Sequence, residues 1–128
     1  MSSFALCSPG DINILSANPG TSPSPNPIAY SAAAVIISHG KNGYGASQPN
    51  GIRVIDPPAS NADETANKTG VPGASTPVVQ FVSRNRTSDS TGCSDTAAGG
   101  TQCEFDDIVA WIPTTTLIAR MAAAGKLP

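Results

Sequence analysis

Charge is scarce in this 128-residue chain. Only 12% of residues are Asp, Glu, Lys or Arg, and the net charge is -2 with seven Lys and Arg in all. No basic run exists that could neutralise a phosphate backbone, which argues against nucleic acid as a partner. Aromatics amount to 5%, with a single Trp and two Tyr, too few to line a carbohydrate cleft between paired carboxylates. Long apolar runs are also lacking. The longest, Ala32 to Ile37, stops at Ser38, far short of the roughly 20 residues that span a bilayer. The opening "MSSFALCSPGD" has neither a basic start nor a long apolar segment, so no signal peptide is read there.

What is abundant is glycine and proline, 12 of each, so turns and extended loops take much of a chain that fits one domain, residues 1–128. Residues 1–31 form a loop-rich opening segment, with a short alternating strand "DINIL" before the proline-rich "SANPGTSPSPNP". The β-branched "AVIIS" that ends "IAYSAAAVIIS" predicts a buried strand, although its early alanines permit helix. "IRVI" predicts an edge strand stopped by "DPP", and "ASNADETANKTGVPGASTP" a polar loop. "VVQFVSR" is the clearest strand, with Val79 and Phe81 facing one way and Val78, Gln80 and Val82 the other. In "CEFDDIVAWIP", Phe105, Ile108, Val109 and Ile112 fall at i, i+3, i+4 and i+7, which predicts an amphipathic helix with Asp106 and Asp107 in its first turn. Pro113 ends it. A second short helix follows in "TTTLIARMAAAGKLP", capped by Thr114 or Thr115 and stopped at Gly125, with Leu117, Ile118 and Met121 on its packed face.

The sole histidine lies in "SHGKNGYGA". Lys41 is followed by Asn42, so the loop is not a Walker A phosphate cradle. Ser38 adjoins His39 in sequence, poor geometry for proton transfer between them, and no G-x-S-x-G elbow occurs. The segment reads as a structural turn. His39 bonds locally, Gly40, Gly43 and Gly45 supply unusual backbone angles, and Asn42-Gly43 is a hairpin-type signal. No catalytic residue is assigned, and the chain is not expected to be an enzyme.

Four carboxylates, Asp63, Glu64, Asp106 and Asp107, are candidates for calcium through oxygen ligands if they meet in space; otherwise they are solvated or helix-terminal charges. No EF-hand spacing and no other cofactor signal is present. "NKT" at Asn67 and "NRT" at Asn85 fit the N-glycosylation pattern. Of three cysteines, Cys93 and Cys103 flank a small polar loop. A disulfide there removes about 3 kcal/mol of unfolded-state entropy in the chain-entropy model; the other reading is two free thiols. The intervening nine residues suit no zinc ribbon. Cys7 is left over.

The ordered series "AVIISHGKNGYGA", "NADETAN", "FVSR", "FDDIVAWI" and "LIARMAAAGKLP" resembles the C-terminal part of bacterial type IV pilin-like proteins, those made with a prepilin-type cleavage and methylation segment. The resemblance covers residues 32–128 and is carried by the series, not by one piece. It implies an α+β fold, a pilin-type antiparallel sheet with short C-terminal helices. It also implies an exposed disulfide loop, which Cys93 and Cys103 fit. The implied function is that of a structural subunit of an extracellular type IV pilus or pseudopilus, on a cell-surface filament among copies of itself. The "FTLIEL"-like apolar N-terminal helix of that family is absent from these residues. It is expected either from a missing segment of this protein or from a separate short helical subunit, as in split pilins. The alternative is a calcium- or ligand-binding adhesion module at a filament surface or tip.

Overall fold

The computed structural model describes residues 10–18, 27–52, 54–56, 61–73, 78–87 and 105–126. Cys7, Cys93 and Cys103 lie outside them, and so does the proposed disulfide. The elements are β1 (Ile12–Leu15), β2 (Pro27–Ser38), α1 (Ala62–Thr69), β3 (Val71–Pro72), β4 (Val79–Val82), β5 (Ile108–Pro113) and α2 (Thr114–Ala123). The fold is α+β. Among the described residues, five strands form one sheet in the order β3-β4-β1-β2-β5. The sheet is mixed, which corrects the antiparallel expectation: β1 and β4 run parallel, from Ile12 opposite Val79 to Leu15 opposite Val82. Among the described residues no helix is long and apolar enough to cross a membrane.

β2 is the long central ribbon, paired antiparallel to β1 on one side and to β5 on the other. Its alanine-rich first half is extended because both neighbours draw on its backbone groups. A bulge interrupts it at Ser31, whose φ of 54° is unusual for a residue with a Cβ. Two long-range bonds hold the bulge. Ser31 N–H donates to Asn13 Oδ1 at 3.2 Å, and the Thr114 hydroxyl donates to the Ser31 carbonyl at 2.5 Å. Thr114 therefore ties α2 to the sheet instead of capping it. Pro113 occupies the N-cap position with no side-chain cap bond. Gly125, at φ 63°, follows the helix end as the sequence predicts.

Residues 108–113 are a strand, not the expected helix. Ile108, Val109 and Ile112 are β-branched, and the adjacent edge of β2 offers an open ladder, so pairing outweighs a 3.6-residue coincidence. Ala34, Ile36 and Ser38 stand opposite Ile112, Ala110 and Ile108. This face is open: Ile36 is 65% and Ile108 68% exposed. The expected place of Ile108 on the apolar stripe of an amphipathic helix is thus overturned. The described residues of "IRVI" belong to none of these strands either. Ile52, Val54 and Ile55 are exposed, and they meet residues 44–48 through an isolated Tyr44–Ile55 bridge and a few backbone bonds.

The segment read as a polar loop contains α1. Asn61 is its N-cap and accepts from the Glu64 N–H, Asp63 and Glu64 occupy the first turn, Lys68 the last, and Gly70 follows at φ 76°. A side chain at Gly70 would strike Val79 and Phe81, which share a face as predicted. Ala66, Val82 and Phe105 form an apolar cluster, and Ile14, Leu15 and Ala32 are also buried. Among the described residues, six polar ones are buried with them: Asn61, Asp63, Glu64, Asn67, Asp106 and Asp107. All six belong to α1, its cap or the segment leading into β5, so the helix docks through hydrogen bonds more than through apolar area.

Candidate functional site: a buried carboxylate cluster

Three backbone segments converge beside α1: the turn after β2, the end of β4 and residues 105–107. Glu64 is completely buried. Its carboxylate accepts two 3.0 Å bonds from the Asn42 side-chain amide, one of 2.7 Å from that of Asn61, and one of 3.2 Å from the Asp106 N–H. Asp106 Oδ2 accepts the Lys41 and Asn42 N–H groups at 2.6 and 3.1 Å. Asp107 Oδ2 accepts from Asn67 Nδ2 at 3.0 Å. Ligand oxygens of Glu64, Asp106 and Asp107 lie within 4.8 Å of one another. Of the four calcium candidates, three therefore meet. Asp63 does not: it accepts from Arg84 Nε at 2.5 Å and from the Asn18 N–H at 2.7 Å, in a buried structural ion pair. Arg84 also lies over the Phe105 ring, 4.5 Å from its centroid.

Burial makes the cluster costly in its fully charged form. Desolvation pushes the Glu64 carboxyl up to about 7, against the bonds from Asn42 and Asp106 that pull it down, with the neighbouring aspartates adding to the rise. Asp107 is raised too, chiefly by burial, and opposed by its bonds to Asn67 and the proximity of His39.

The turn "SHGKNGYG" serves this cluster. His39 Nδ1 lies 3.4 Å from Asp107 Oδ1, longer than a charge-assisted hydrogen bond. Beside its expected place in the turn, His39 makes a contact across 68 positions of sequence. Asn42 Oδ1 accepts from the Tyr44 N–H, and Gly43 and Gly45 have φ of 67° and 83° as the turn reading requires. Gly40 needs to be glycine for another reason. A Cβ there would sit 2.2 Å from Asp106 Cγ, so the missing side chain lets Asp106 approach the backbone. Gly40→Ala is expected to displace Asp106 from the Lys41 and Asn42 amides and cost about 2–3 kcal/mol. Urea denaturation checks this; a midpoint equal to that of the wild type refutes the close-approach role.

Asn67 is no glycan acceptor in the folded protein. It is 2% exposed, and its amide nitrogen is spent on Val82 and Asp107. Asn85 is exposed. A cleft of about 610 Å³ runs past the cluster, lined by Lys41, Ser83, Arg86, Asp106 and Asp107 among others. The residues that sequence reasoning missed are Asn42 as a side-chain donor, Asn61 and Asn67. The spacing of Asn61 and Glu64, an N-cap with an acid three positions on, was the available signal.

Comparison with protein-family models, with curated proteins and with solved structures gave no match. The reading of function therefore rests on this geometry and on the sequence series above.

Proposed function

We propose that the chain is a structural subunit of an extracellular type IV pilus or pseudopilus filament, with assembly and surface presentation as its role and no turnover. The observation that carries this reading is the open apolar face of β2 and β5, where Ile36, Ile108 and Ile112 share one side of the sheet. Large contiguous apolar patches on monomers mark interaction sites. A two-stranded apolar face suits the side of an apolar helix, which in a pilin-type subunit packs against the sheet. The segments that carry the resemblance also support it. "SHGKNG", "NADETAN", "FVSR" and "FDD" meet through Asn42, Glu64, Asn67, Arg84 and Asp107, as one scaffold for that sheet.

The test is to titrate this chain with a synthetic pilin-type apolar helix and follow thermal unfolding. Binding to the native state raises the midpoint with peptide concentration, and free peptide at a hundred times Kd stabilises the fold by about 2.7 kcal/mol. An isolated domain that binds no hydrophobic dye and ignores the peptide is self-sufficient, and the adhesion-module reading then replaces this one.

A further inference from the structure

We propose that Glu64, Asp106 and Asp107 form a calcium site, opened to solvent by the adjacent cleft. The inference is independent of the filament reading. It starts from an electrostatic imbalance. Three carboxylates, each more than nine-tenths buried, bring oxygens within 4.8 Å of one another. Among the described residues no lysine or arginine forms an ion pair with any of them, and the basic group beside them is the single histidine, His39, 3.4 Å from Asp107 Oδ1. Arg84 is engaged by Asp63 and Lys68 by Asp56. Buried charges persist when paired or when they coordinate a metal.

A second observation points to a ligand. Asp106 Oδ1 and Asp107 Oδ1 are buried without a hydrogen-bond partner, as is His39 Nδ1, which stands 3.4 Å from Asp107 Oδ1. Each carboxylate is gripped by its other oxygen: Asp106 Oδ2 by two backbone amides, Asp107 Oδ2 by Asn67. That leaves one oriented, unsatisfied acceptor per aspartate, and both residues line the cleft. Unsatisfied buried acceptors are rare in native proteins and call for a missing partner. The amide donors that aim these carboxylates are what outer-shell groups do in metal sites. Glu64 already accepts two hydrogen bonds at each oxygen, so it joins the ion by giving up one of them, the longest being the 3.2 Å bond from the Asp106 N–H.

The donor set selects the ion. All three ligands are hard oxygens, which suit calcium or magnesium over softer metals. Calcium tolerates irregular geometry and binds oxygens at about 2.3–2.6 Å, so two ligands across it stand up to about 5 Å apart; the 4.8 Å span of this cluster fits within that. Magnesium demands a tighter octahedron and sheds its water reluctantly. The cleft, about 610 Å³ in volume, gives room for the waters that complete the coordination shell.

The test uses the 128-residue chain, freed of metal with EDTA. Thermal unfolding is followed against free calcium, and amide NMR spectra are recorded at each step. The expected result is a midpoint that rises with calcium, one ion per chain by calorimetry, and shifts centred on the Lys41, Asn42 and Asp106 amides. Asp106→Asn keeps the shape and removes a ligand charge, so it weakens calcium by more than the roughly 10-fold loss that an outer-shell change brings. Asp11→Asn, at an exposed carboxylate, leaves affinity unchanged. The NMR map on the wild-type chain decides the matter even if Asp106→Asn does not fold. Equal midpoints in EDTA and in about 10 mM calcium, far above even weak extracellular sites, overturn the proposal. So do shifts centred elsewhere, or stabilisation by zinc but not calcium.

Discussion

Asn67→Leu is expected to cost this protein about 3–6 kcal/mol, a large part of its stability. The side-chain amide of Asn67 acts toward Val82 as a strand backbone would. Its Oδ1 accepts the Val82 N–H at 2.7 Å, and its Nδ2 donates to the Val82 carbonyl at 2.9 Å. The same nitrogen reaches Asp107 Oδ2 at 3.0 Å. One side chain on α1 thus closes the edge of β4 and orients a buried carboxylate. Leucine fits the volume and supplies none of these bonds. Three buried groups lose their partner, at about 1–3 kcal/mol each. The total, about 3–6 kcal/mol allowing for relaxation, is comparable to the whole stability of a small domain. Asn67→Asp fares no better, since it replaces the donor with a charge beside Asp107. Asn85→Leu, at an exposed position in the second glycosylation-like triplet, should shift stability by about 0.5 kcal/mol or less. Far-ultraviolet circular dichroism in urea reads all three. An unchanged midpoint for Asn67→Leu would show that the helix docks by other means.

The same residues explain which parts of the fold the sequence reveals. β1, β4 and the second half of β2 follow from alternation and β-branching, because each has at least one half-buried apolar face. α1 was hidden because hydropathy looks for an apolar stripe, and the buried face of this helix is Asp63, Glu64, Ala66 and Asn67. Its end signals were present in Asn61, Glu64, Lys68 and Gly70, yet nothing local says that a polar face will be buried. β5 departs from its local pattern for the converse reason. The spacing of Phe105, Ile108, Val109 and Ile112 matches a helix, while the alternation of Ile108, Ala110 and Ile112 matches a strand equally well. Only the partner ladder of β2 decides between them. The acidic cluster was legible as to residue type but not as to membership. Asp63 and Glu64 are adjacent, and about 100° apart around a helix, so one turns to Arg84 and the other to Asn42. Contacts such as His39 with Asp107 depend on tertiary placement and carry no local signal.

Ile108→Asp should leave the fold intact and abolish association with an apolar helix. At 68% exposure the isoleucine contributes little packing, and a surface change of this kind alters stability by about 0.5 kcal/mol or less. A helical reading of residues 105–112 predicts the reverse, an unpaired buried charge and collapse of the domain, so the stability of this one variant separates strand from helix. Ile108 stands opposite Ser38 and, with Ile36 and Ile112, forms the open face of the two edge-side strands. An aspartate in that face must be desolvated when an apolar helix covers it. The cost is at least about 3 kcal/mol, more than a hundredfold in Kd. The peptide titration with Ile108→Asp should therefore show no rise in midpoint at concentrations that saturate the wild type. Thr116→Asp, exposed on α2, should respond as the wild type does. If Ile108→Asp folds and still binds the helix with unchanged affinity, the β2–β5 face is not the docking surface, and the filament reading loses the observation on which it stands.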